Sequence, residues 1–295
     1  MMLMRYLLTC LLLVTSLAAD ARPYSRDKEM DIAIINGIDI AYTVAGDVDA
    51  EPILMIMGLT GSHRLWDETL VNGLVDAGYR VVLFDNRDTG DSARLDTLGK
   101  PVLWWEMLKN FIGLGIDAPY TLHDMARDGV GLLDELGIEE AHIVGASMGG
   151  MIAQIIAAEF PHRATSLVSI MSTTGAPHLP EPDDQAADGL SEIGEATGDI
   201  TARLHDMGLY PEAMPRQMLA IIEAGDRSEQ VAGIATPTLV MHGADDTLLK
   251  PPHGEHTASL IAGAVFKLYQ GMGHNTPAEV VPHLVRDMVA HFQRI

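Results

Sequence analysis

The chain has 295 residues, 47% of them hydrophobic and 20% charged, a globular mixture long enough to bury a substantial core. Its formal charge of -22 excludes nucleic acid as a natural partner, because phosphate binding relies on a positive surface, and it opposes an anionic membrane in the same way. Beyond the N-terminal segment no stretch is long and apolar enough to span a bilayer.

Residues 1–21 read as an export leader. Arg5 is the only early charge, Tyr6 to Ala19 is a short apolar run, and Ala19-Asp20-Ala21 is an Ala-x-Ala cleavage site. The expected protein is exported, periplasmic or secreted, without a membrane partner once the leader is removed. Cys10 is the single cysteine, so the mature chain, 22–295, is expected to have neither a disulfide nor a thiol nucleophile.

Ile32–Ile35 and Ile38–Val44 are apolar-rich runs joined at Asn36-Gly37, a strong hairpin signal. Ile53–Met57 and Arg80–Phe84 read as strands buried on both faces, with a helical spacing of apolar residues over Trp66–Ala77 between them. Helical periodicity returns over Leu122–Leu136, followed by a strand at His142–Val144, a helix at Met148–Glu159 and a strand at Ser166–Met171. Thr238–Met241 and Val265–Leu268 complete eight strands, and a last helix runs from about Ala278 to Phe292. Strands alternating with helices define an α/β fold with a mostly parallel sheet and helices on both faces. The alternation fails over about 176–236, where Pro, Gly, Asp and Glu are frequent and only short helical pieces such as Met214–Ala224 occur. This segment is expected to be an inserted cap.

Gly145-Ala146-Ser147-Met148-Gly149 places a serine between a strand and a helix, the context that gives a Gly-x-Ser-x-Gly pentapeptide its weight. There the hydroxyl projects beyond the strand's C-terminal end, where open α/β sheets bind ligands, and the helix N-terminus points free N–H groups at the reacting centre. Serine needs a base. Of twelve histidines, His274 is the best placed, in Gly271-Met272-Gly273-His274 between the last strand and the last helix. His242 ends a strand and reads as packed, whereas His253 and His256 fall near a helix start and are too close for a zinc pair of the His-Glu-x-x-His kind. No metal or organic cofactor is required. The base needs an orienting carboxylate. Asp245 and Asp246 follow the strand ending at His242-Gly243; only one of two neighbours can face the imidazole, and the spacing favours Asp246. An oxyanion needs two donors, assigned to the backbone N–H groups of Met148 and of Leu59, the latter flanked by glycine in Gly58-Leu59-Thr60-Gly61. His63 and Trp66 are candidate substrate contacts, and Trp104, Trp105 and Phe111 form an aromatic patch that suits a pocket entrance or burial under the cap equally well.

These residues resemble the α/β-hydrolase superfamily over nearly all of 22–295. Gly-Ala-Ser147-Met-Gly-Gly is similar to its nucleophile elbow, His242-Gly243-Ala244-Asp245-Asp246 to its acid loop, and Gly271-Met272-Gly273-His274 to its histidine loop. The resemblance places the acid on Asp246 and implies an α/β-hydrolase fold. Met57-Gly58, where many members carry His-Gly, together with Arg87-Asp88-Thr89-Gly90, resembles the branch that contains the anthracycline methyl esterases. That branch implies a serine hydrolase acting on a carboxylic ester of a small or medium-sized molecule through an acyl-enzyme. The same triad also supports lactone opening, C–C bond hydrolysis and perhydrolase or haloperoxidase chemistry, and a slow-turnover ligand-binding protein could retain it. Dehalogenases and epoxide hydrolases carry an aspartate where Ser147 stands.

Overall fold

The computed structural model describes residues 23–194 and 196–295; the leader read at 1–21 lies outside them. The chain begins with β1 (Asp31–Ile35), β2 (Ile38–Ala45) and β3 (Glu51–Ile56), then α1 (Glu68–Asp76) and β4 (Tyr79–Phe84). After α2 (Leu103–Phe111) and α3 (Leu122–Glu135) come β5 (Ala141–Ala146), α4 (Met148–Glu159) and β6 (Ala164–Ile170). Four helices follow without a strand between them: α5 (Asp184–Gly194), α6 (Asp199–Asp206), α7 (Met214–Ala224) and α8 (Ser228–Ala232). The chain then returns to the sheet with β7 (Thr238–Gly243), α9 (Pro252–Leu260), β8 (Val265–Tyr269) and α10 (Val281–Phe292).

The eight strands form one open sheet in the order β1-β2-β4-β3-β5-β6-β7-β8. β1 and β2 pair antiparallel through the Asn36-Gly37 turn, β2 pairs antiparallel with β4, and every later pairing is parallel. Alternate residues of each central strand feed opposite core layers. Ile53 and Met55 of β3 pack in the layer containing residues of α1 and α10, whereas Leu54 and Ile56 pack in the layer containing α3 and α4.

The observed α1 is shorter than the apolar spacing suggests. Asp67 is its N-cap and accepts from the N–H groups of Thr69 and Leu70, so Trp66 precedes the helix instead of opening it. At α3, Thr121 and Asp124 form a reciprocal capping box. The helices between β6 and β7 sit over the C-terminal ends of the strands. Gln217 and Arg216 of α7 bond to the loops after β3 and β4, and Asp183, just ahead of α5, pairs with Lys250 and donates its N–H to Thr247 O in the segment after β7.

Candidate active site

Ser147 occupies the turn between β5 and α4 with φ 55° and ψ −121°, a backbone region that glycine favours and L-residues enter at a cost. The turn is fixed on all sides. Ser147 N–H donates to Ile170 O at 2.9 Å, and its carbonyl accepts from Gly150 N–H and from the Ser172 hydroxyl. Two glycines make the close approach possible: a Cβ on Gly149 would run into the Ile56 carbonyl, and one on Gly58 would lie 2.9 Å from Ser147 Cβ.

His274 Nε2 lies 3.0 Å from Ser147 Oγ, and its Nδ1 lies 2.8 Å from Asp246 Oδ2. With Nδ1–H donating to the carboxylate, Nε2 is left as the acceptor for the serine proton. Asp246 is itself held by the loop after β7: its Oδ1 accepts from the N–H groups of Leu248 and Leu249, both at 2.9 Å. Burial pushes its carboxyl up, but hydrogen bonds from His242 and His274, the attraction of His274 and the Leu249 N–H outweigh this and hold it well below the usual carboxylate range. Asp245 points elsewhere. Its Oδ2 accepts from Gly271 N–H at 3.0 Å and its own N–H donates to Met272 O, which pins the histidine loop to the acid loop.

The Leu59 loop lies against the nucleophile through Gly58. Gly61 N–H closes a turn onto Gly58 O, and Thr60 N–H donates to Gln217 Oε1 at 2.7 Å. The N–H groups of Leu59 and Met148 have no acceptor among the described residues, and Met148 is the first residue of α4. Two such donors, one at the head of α4 and one next to the Gly58 that abuts Ser147, suit a tetrahedral oxyanion.

His63 and Trp66 do not fit the expected role of substrate contacts. His63 is fully buried, with its N–H and Nδ1 2.6 and 2.9 Å from Asp85 Oδ1 and its carbonyl accepting from Tyr24 OH. Trp66 is buried in the layer with Leu70 and Leu74. Both are taken up by packing behind the site. His242 donates from Nε2 to Leu249 O at 2.6 Å and closes the acid loop. His253 and His256 meet the hydroxyls of Thr173 and Thr174. Among the described residues no group of three or more His, Cys, Asp or Glu side chains is arranged to hold a metal.

Several residues of the site's support carry no local signal in the sequence. Gln217 is fully buried and uses both ends of its amide, Oε1 for Thr60 N–H and Nε2 for Arg87 O at 3.0 Å. Its neighbour Arg216 grips Asp88 through Nε and Nη2, each at 2.8 Å, while Tyr120 OH donates to the same carboxylate. The Asp85–Ser92 turn is therefore a hub that joins α7, α3 and the loop after β3, with Arg87 bonded to Asp128 of α3 and Asn86 Nδ2 donating to Met57 O.

An open, mostly parallel sheet with a serine elbow, a histidine loop and an acid loop at one end defines a hydrolase of the α/β-hydrolase superfamily, and the chain belongs to that superfamily. The family described as alpha/beta hydrolase fold matches residues 51–197. The chain is similar to rhodomycin D methylesterase DauP of Streptomyces sp. (strain C5), with 27% identity over 83% of this chain and 92% of the relative. It is also similar to rhodomycin D methylesterase DnrP of Streptomyces peucetius, with 26% identity and the same coverage. Among solved structures, a hydrolase from Pseudomonas aeruginosa superposes with a TM-score of 0.69 at 22% identity, covering 90% of this chain and 98% of that one.

Proposed function

We propose that the protein hydrolyses a carboxylic ester of a small or medium-sized molecule through an acyl-enzyme on Ser147. The observation that carries this reading is the continuous relay Ser147 Oγ, His274 and Asp246, with contacts of 3.0 and 2.8 Å. Ser147 Oγ attacks the ester carbonyl while His274 Nε2 takes its proton. Asp246 keeps the imidazole in the required tautomer and stabilises the imidazolium. The Leu59 and Met148 N–H groups hold the oxyanion. Collapse of the tetrahedral adduct expels the alcohol, which receives the proton from His274. Water, deprotonated by His274, then cleaves the acyl-serine and releases the acid. The two methylesterase relatives support an ester as the substrate class.

The test is twofold. A fluorophosphonate probe should label the purified protein at Ser147 and leave the Ser147→Ala variant unlabelled. A panel of carboxylic esters and lactones should then be turned over by the wild type, with hydrolysis by Ser147→Ala reduced by about 10⁴-fold or more. Unchanged turnover by a folded Ser147→Ala variant would refute the assignment. The reading also includes export, with the leader cut after Ala21; the mass of the protein recovered from the periplasm or medium tests it, and an uncut cytoplasmic chain would contradict it.

A further inference from the structure

The chain between 102 and 114 exposes apolar surface of a kind found nowhere else among the described residues. Trp104, Trp105, Met107, Phe111, Ile112 and Leu114 are all exposed, Phe111 at 87% and Leu114 at 70%. Elsewhere, exposed large apolar side chains occur singly or as a pair along the chain. Glu106 and Lys109 are the only charged residues between 101 and 116, and α2 turns both inward. They pair with each other at 2.7 Å, and Glu106 also accepts from Asp117 N–H. The helix thus satisfies its own charges behind a face of aromatic and aliphatic side chains, a pattern that marks a contact surface and not a solvated helix.

Three observations specify the partner. The face carries two adjacent tryptophans, packed edge to face at 5.8 Å, with Phe and Leu around them; tryptophan concentrates at the boundary between lipid and water. The face is also continuous with a cavity of about 710 Å³ between α2, α5 and α7. Val102, Leu103 and Trp104 line it, as does Leu248, whose N–H bonds Asp246. An apolar chain leaving a lipid surface at α2 would meet a cavity lined mainly by apolar side chains. Finally, the formal charge of -22 works against pairing with a second copy and against anionic headgroups, but not against an uncharged or zwitterionic surface.

We propose that α2 and the turn after it dock the protein on a zwitterionic lipid surface. This departs from the expectation of no membrane partner, which rested on the lack of a spanning stretch and on a charge that opposes anionic surfaces. The docking is independent of the reaction proposed above.

Flotation of the full chain with phosphatidylcholine vesicles tests the docking. Two of the three tryptophans lie on α2 and Trp66 is buried, so a blue shift of the emission on vesicle addition reports on this helix. The wild type and Ser147→Ala should both float and both shift, which separates docking from catalysis. Trp105→Ser combined with Phe111→Ser alters two exposed side chains outside the cavity wall. It should reduce the bound fraction by about tenfold or more while turnover of a short, water-soluble ester stays unchanged. A full chain that does not float, or a double variant that floats as well as the wild type, would overturn the proposal. So would a dimer, detected by sedimentation velocity without lipid, that the double variant abolishes.

Discussion

Asp246 and Asp88 are both buried carboxylates on loops at the C-terminal ends of strands, and each is gripped by several donors. They differ in the partner. Asp246 faces His274, an imidazole whose other nitrogen lies 3.0 Å from Ser147 Oγ. Asp88 faces Arg216, whose pKa burial would lower but which the hydrogen bonds and charge of Asp88 push further up, so the guanidinium stays a cation. The first pair can pass a proton and the second can only hold two parts of the chain together. Burial and hydrogen bonding alone therefore do not mark a reacting carboxylate; the ionisation chemistry of its partner does. The two regions meet at Gln217, which neighbours Arg216 and accepts from Thr60 N–H in the loop after β3.

The contrast is broken most directly by Asp246→Asn. Loss of the acceptor for Nδ1–H favours the wrong imidazole tautomer, and kcat should fall by about 10⁴-fold in steady-state kinetics on an activated ester. Asp245→Asn should retain far more activity, since Asp245 only ties the histidine loop; equal losses would dissolve the assignment of the acid. On the other side, Arg216→Met strands Asp88 without its cation and should lower stability by about 3–5 kcal/mol in urea unfolding. The kcat of the folded fraction should change less than tenfold, and an unchanged unfolding midpoint would remove the structural role.

Gln217→Leu sharpens the comparison, because it disturbs both regions at one residue. The Thr60 N–H loses its partner, and kcat should drop by up to about 10²-fold with little change in KM. Gln217→Glu keeps an acceptor for Thr60 and should recover part of that loss. A fall in stability alone, with kcat intact, would make Gln217 a packing residue. The smallest effect concerns acid. The folded state holds Asp246 below its ordinary value, so the group contributes stability above the unfolded carboxylate pKa of ~3.9 and loses it as pH falls from there toward the folded value. The urea midpoint of the wild type should exceed that of Asp246→Asn near neutrality, and the gap should narrow below about pH 4. A gap that widens in acid would contradict the hydrogen-bonding pattern.

The sheet and the meeting of Ser147, His274 and Asp246 were legible because each part has a local signature. Ser147 stands in a pentapeptide between an apolar run and a helical spacing, and His274 stands between the last strand and α10. Asp246 was chosen over Asp245 by its distance from β7. Strand and helix ends moved by a few residues where capping decides them, as at Asp67. The support of the site was not legible, since Gln217 meets Thr60 across 157 positions and Arg216 meets Asp88 across 128. No local pattern encodes such a meeting. Arg216 and Gln217 stand side by side in α7, and because charged residues are usually exposed their composition alone points outward. His63 and Trp66 failed as substrate contacts because their position near the oxyanion loop says nothing about which way the loop turns them. The helix α2 could have been delimited from Pro101 before it and Gly113 after it, but the exposure of its aromatic face depends on what the rest of the chain leaves uncovered.

The backbone of Ser147 at φ 55° sets reactivity against heat resistance at a single position. Glycine adopts that conformation freely, so Ser147→Gly should relax the elbow by about 1 kcal/mol even as it deletes the hydroxyl proposed as nucleophile. Directed evolution that ranks clones by melting temperature alone would enrich inert protein at this codon, and only a screen coupled to turnover would keep the serine.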